Sequence, residues 1–101
     1  MVNLNNIRKA VSLYPAFKDV VTEEKLKSSG GRKTVTQAKE VGVFLAHIDG
    51  HDEKDIAKTF GYASDKSVSN IFRKAALDFK NDALFSYAVE NIAQKLEISL
   101  E

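Results

Sequence analysis

The feature that most constrains this chain is the stretch from Asp52 to Phe79, where a short amphipathic helix, a glycine turn and a longer amphipathic helix follow one another. A unit of this kind needs a small residue on its first helix, so that the second can cross close over it. It also needs a glycine a few positions later to take the backbone round the turn. Ala57 and Gly61 have that spacing. On the second helix Val68, Ile71, Phe72, Ala75 and Phe79 recur at helical spacing and mark one inner face. Opposite them stand Lys66, Asn70 and Arg73, with Ser69 at the flank. Lys and Arg reach phosphate or guanine, and Asn bonds adenine through two hydrogen bonds, so this outer stripe has the chemistry of a major-groove reader.

The remaining pattern is helical as well, and the expected fold is all-α with about six helices in one domain, 1–101. Leu4, Ile7, Val11 and Tyr14 form an opening amphipathic helix behind Asn3, stopped by Pro15. Thr22–Lys27 reads as a short second helix, with Phe17, Val20 and Val21 as apolar anchors before it. After the loop Ser28-Ser29-Gly30-Gly31, Thr34-Val35-Thr36-Gln37 has capping-box form and opens a central helix whose buried stripe is Ala38, Val41, Phe44, Leu45 and Ile48. Asp52 and Ser64 are placed to cap the two helices of the turn unit. A sixth helix runs from about Asp82 to Leu96, and Leu77 on the fifth is expected to pack under it. No segment alternates like a strand.

Composition narrows the classes. The 101 residues include no cysteine, so there is neither a disulfide framework nor a thiolate nucleophile, which fits a reducing cytosol. No apolar run approaches membrane-spanning length and no signal peptide opens the chain, so the expectation is a soluble cytoplasmic protein. The closing Leu100-Glu101 is of the kind a cloning site leaves, which would make the chain one domain of a longer protein. The net charge of +1 is low for a nucleic-acid binder, but its distribution is uneven. Lys25 to Lys39 holds Lys25, Lys27, Arg32, Lys33 and Lys39 and no acid, whereas acids gather at Asp49–Asp55 and near the end. A dipolar domain of this kind can bind DNA while staying near neutral. Glu23-Glu24 and Asp52-Glu53-Asp55 sit at helix starts, where acids favour the dipole, so no enzyme activity is expected. His47 and His51 are four apart but separated by Asp49-Gly50, and no metal or other cofactor is expected.

The order of these residues resembles the C-terminal DNA-binding domain of the bacterial replication initiator DnaA, and the likeness covers nearly the whole chain. Asn6-Ile7 is similar to that family's opening helix, and Val35 to Ala46 to its long central helix. Asp55-Ile56-Ala57-x-x-Phe60-Gly61 resembles its E-I-G-x-x-F-G, and Val68 with Arg73-Lys74 its T-V-x-x-A-x-R-K. The resemblance implies a six-helix, Trp-repressor-like fold that binds double-stranded DNA as a monomer. Where the family has an Asp-His-Thr-Thr run, this chain has Ser64, Asp65, Lys66 and Ser67, and Gln37 stands where an arginine is common. The scaffold is therefore expected to carry over and the base specificity to differ, as in the relatives appended to transposases or found in phage and plasmid proteins. The family's ATPase is not implied, since the chain has no phosphate loop.

The expected function is thus sequence-specific double-stranded DNA binding, as the targeting domain of a replication-initiator-like or transposase-like protein, with no small-molecule substrate. Asp65, Lys66, Ser69 and Asn70 would meet base edges. Ser64, Ser67, Arg73 and Lys74 would take phosphate, Lys54 and Lys58 would touch backbone, and Arg32 and Lys33 would reach the neighbouring minor groove or phosphates. Gln37, Lys39 and His47 would add contacts from the central helix, and Tyr62 would either stack on the duplex or close the core. The competing expectation is a helical interaction domain that keeps the scaffold but has lost DNA, holding a partner protein through its acidic sixth helix or its recognition face.

Overall fold

Five of the six helices start on a side chain that accepts a hydrogen bond from a free amide of the first turn. In the computed structural model, which describes residues 1–100, these are α1 (Leu4–Leu13) behind Asn3, α2 (Glu23–Lys27) behind Thr22, α4 (Glu53–Phe60) behind Asp52, α5 (Asp65–Asn81) behind Ser64 and α6 (Ala83–Leu96) behind Asp82. The exception is α3 (Lys33–Ile48). Its N-cap is Arg32, whose side chain makes no capping bond, so the expected Thr34 capping box does not form. The cause lies just upstream. Gly30 and Gly31, at φ +74° and +127°, reverse the chain early, and Val35 packs directly on Gly31, so Thr34 is already inside the helix.

The buried residues make one cluster, and α3 runs through its middle, packing against every other helix. Val41 to Ala46 is buried without a break, which a helix shows only when it has neighbours all round. Gly42 makes one of these approaches possible: a Cβ there would run into the ring of Phe60, which has no exposure. On the opposite side Phe44 gathers the later helices, stacking on Phe72 and Phe79 of α5 at 5.6 and 5.2 Å and meeting Phe85 of α6 edge-on at 6.3 Å. Among the described residues there is no strand, so the architecture is all-α with six helices.

Two apolar residues depart from expectation. Leu77 is 61% exposed rather than packed under α6, because α6 turns back from Asp82 onto the Phe79 side of α5, where Phe85 meets Phe44. Val20 is 40% exposed, and only Phe17 and Val21 anchor the segment before α2. One charged residue lies deeper than its type suggests. Arg8 is buried, donating to the Thr59 carbonyl and to Asn5 Oδ1 at 3.1 Å each, with Glu23 3.6 Å from its Nε, and so ties α1 to the end of α4 and to α2. No helix among the described residues is long and apolar enough to cross a membrane.

Candidate nucleic-acid interface

The turn between α4 and α5 is built on Gly61, at φ +74°, a left-handed conformation that favours glycine. Ala57, nearly fully buried, accepts the closing amide bonds of the turn from Gly61 and Tyr62. The Ser64 hydroxyl then caps α5 through the Ser67 amide, and the two hydroxyls stand 3.3 Å apart. Beyond this cap Val68 and Ala75 are fully buried, with Ile71, Phe72 and Phe79 half-buried against the core. Asp65, Lys66, Asn70 and Arg73 are exposed, and Ser67 and Ser69 lie half-buried at the edges of the stripe. On α4, Lys54 and Lys58 are exposed too.

The loop before α3 is locked to this turn. Gly61 approaches the Lys27 and Ser28 carbonyls so closely that any Cβ would strike backbone. Lys39, expected at the surface, is instead 3% exposed and points back into the loop, donating to the Ser28 carbonyl and, at 3.2 Å, to that of Gly30. Its ammonium also lies 5.4 Å from the centre of the Tyr62 ring. Lys39 therefore holds the loop in place and presents no charge to a ligand. Its burial pulls the ammonium's pKa below the ordinary lysine range. Tyr62 closes the core: its hydroxyl is sealed from solvent, and desolvation with the nearby Glu40 carboxylate pushes its pKa up, so it stays a neutral phenol.

Arg32, Lys33 and Gln37 are exposed at the start of α3, whose first-turn amides have no side-chain acceptor. An uncapped helix start flanked by two cations is electrostatically suited to an anion. Arg32, Lys33, Lys54, Lys58, Lys66 and Arg73 make no ion pair among the described residues. Lys74 differs from them. Its ammonium is engaged by Glu40 at 2.9 Å and Asp78 at 3.1 Å, and these hydrogen bonds raise its pKa.

His47 is also removed from the expected set. Its ring stacks on Phe72 at 3.9 Å, and Nε2 lies 3.4 Å from Glu53 at the far end of α3 from Gln37. His51 faces another way, its Nε2 2.6 Å from the Val2 carbonyl, while Asp49 accepts from the Val2 amide at 2.6 Å. No group of three or more His, Cys, Asp or Glu among the described residues could hold a metal. Sequence reasoning missed Tyr14, Leu84 and Tyr87, which line a cleft with Glu40 and Asp78; only the exposed pair Leu84 and Tyr87, one turn apart on α6, could have signalled it. No protein-family model matches the chain, and neither does any curated protein.

Proposed function

We propose that the chain is a sequence-specific double-stranded DNA-binding domain that inserts the first half of α5 into the major groove. On this reading Asp65, Lys66, Ser69 and Asn70 meet base edges, while Ser64, Ser67 and Arg73 grip phosphate with the help of the α5 amino end. Lys54 and Lys58 touch backbone before the turn, and Arg32, Lys33 and Gln37 reach the adjacent strand or minor groove from the start of α3. The observation that carries the reading is the joint between loop and turn. Through Gly61, Lys39 and Tyr62 the loop that leads to Arg32 and Lys33 is tied to the residues that open the recognition helix, so both cationic elements are held in one fixed relation. A DNA reader needs that pre-organisation, because side chains ordered only on binding subtract from affinity.

The resemblance to the initiator's DNA-binding domain supports the same reading and suggests a targeting role in replication or transposition, in the cytoplasm and as a monomer on the duplex. Selection from a randomised duplex pool at about 50 and 150 mM salt tests it, because the electrostatic term falls with salt while base readout persists. An enriched motif surviving the higher salt is the expected result. With about five free cations on phosphate, log K falls with log salt at a slope of about −4 to −5. Absence of retention at either salt would leave the helical interaction domain as the better reading.

A further inference from the structure

The first turn of α5 carries two opposite charges without a partner. Asp65 and Lys66 are both exposed, and neither side chain makes an ion pair or hydrogen bond among the described residues, with the other or with anything else. Capping does not need the acid, because the Ser64 hydroxyl already takes the Ser67 amide. Helix geometry keeps the two apart. Successive residues are turned by about 100°, while residues four apart lie almost above one another, about 6 Å along the axis. Asp65 therefore shares a row with Ser69, and Lys66 a neighbouring row with Asn70. The Lys66 row points most directly away from the buried Val68 and Ala75, and the Asp65 row runs along its flank, where Ser69 is half-buried.

One row thus begins with a group that only accepts hydrogen bonds and the other with a group that only donates them. A carboxylate brought into a groove walled by phosphates is repelled unless a base donor meets it. In the major groove those donors are cytosine N4 and adenine N6. Lys66 decides between them. Opposite cytosine stands guanine, which offers an ammonium two acceptors, O6 and N7, whereas opposite adenine stands thymine, which offers O4 and an apolar methyl. An acid and a lysine a quarter-turn apart at one level of the helix match the two halves of a G·C pair. Asn70 stands one turn beyond Lys66, and the intervening 6 Å or so spans roughly two base steps of about 3.4 Å. Adenine presents its N6 and N7 together to such an amide.

We propose that the DNA target contains a G·C pair read jointly by Lys66 on the guanine and Asp65 on the cytosine, with an adenine about two positions away on the guanine strand read by Asn70. The inference rests on the DNA reading and goes beyond it by naming the bases. Asp65 acts as much by exclusion as by attraction. With the pair reversed, its carboxylate faces the guanine acceptors and the ammonium faces the cytosine donor, so the wrong duplex is rejected while the right one is held.

Selection from the randomised duplex pool supplies the site, and duplexes with altered bases then probe it at about 150 mM salt. N4-methylcytosine still pairs with guanine but puts a methyl group where the free N4 hydrogen entered the major groove. Placed in the G·C pair, it should weaken the wild type about tenfold and leave Asp65→Ala unchanged. 7-Deazaguanine, which lacks N7, should weaken the wild type severalfold and leave Lys66→Ala unchanged. Asp65→Ala keeps the Ser64 cap and should bind duplexes without the G·C pair more tightly than the wild type does. The proposal is overturned, with the DNA reading intact, if the enriched motif lacks a G·C pair and an adenine in that relation. It is equally overturned if N4-methylcytosine weakens Asp65→Ala as much as the wild type, which would leave the acid only its favourable place at the helix start. If no duplex is retained at either salt, the DNA reading and this inference fall together.

Discussion

Lys39 and Tyr62 meet face to ring: the ammonium of a residue in the middle of α3 stands 5.4 Å from the ring centre of a residue in the α4–α5 turn, while it donates to two carbonyls of the preceding loop. One buried cation thereby joins three segments. Its loss should be felt more in the position of the loop than in the core, because the Ser28 and Gly30 carbonyls are exposed enough to turn to water. Lys39→Met, which keeps the aliphatic stem, is expected to cost about 1 kcal/mol in denaturant unfolding. Amide exchange should quicken at residues 28–31 and stay unchanged in α6. Unaltered exchange in the loop would show that Gly61 alone holds it.

Two glycines test close approach in different ways. At Gly42 an added Cβ meets the end of the Phe60 ring, a fully buried side chain that can give way only by repacking its neighbours, and Gly42→Ala should destabilise by about 1–3 kcal/mol. At Gly61 the obstacle is backbone and φ is +74°, so Gly61→Ala should cost more, roughly 3 kcal/mol or above. Thermal melts of both variants settle the order.

Glu40 gives the fold a pH signature. Burial holds its carboxyl above the ordinary value of 4.5, outweighing the downward pull of Lys74, so the folded chain binds this proton more tightly than the unfolded chain. The stabilising contribution is therefore complete below that value and is lost as pH rises through the elevated pKa. The unfolding free energy of the wild type minus that of Glu40→Gln should fall as pH increases from 4.5 toward neutrality. A difference independent of pH would mean that Glu40 titrates as it does in the open chain.

The two neighbouring cations of α5 should behave differently on DNA. Arg73 has no carboxylate partner among the described residues, whereas Lys74 is held by Glu40 and Asp78. Arg73→Ala should lower affinity for all duplexes alike and reduce the salt slope by about 1, while Lys74→Ala should leave both within about twofold. Lys66→Ala or Asn70→Ala should cost about 1–3 kcal/mol on the preferred site and relax its sequence there. Binding curves over a salt series separate these outcomes.

What could be read from sequence was whatever depends on near neighbours. The caps at Asn3, Asp52 and Ser64, the inner face of α5 and the left-handed Gly61 are all settled within a turn or two of chain. The misreadings concern residues whose fate is decided far away in sequence. Lys39 lies in a run of surface-type residues, and its burial follows from the loop folding back over α3. Leu77 stays exposed because Asp82 turns α6 toward the other side of α5. Arg8, of which the sequence pattern said nothing, is buried because the end of α4, some fifty positions on, offers it the Thr59 carbonyl. Thr34 loses its cap to two glycines that a capping rule does not weigh. The cleft was invisible for the same reason, since the segment after α1, α3, α5 and α6 each contribute only a few of its residues.

Asp82 is the only residue between α5 and α6, its amide bonded to the Asp78 carbonyl behind it and its carboxylate to the Leu84 and Phe85 amides ahead. With its amide, its carbonyl and one carboxylate oxygen all bonded, this one-residue joint leaves little slack between the helices. A tilt of α5 on seating Lys66 and Asn70 is therefore expected to reach α6 as a shift of Leu84 and Tyr87.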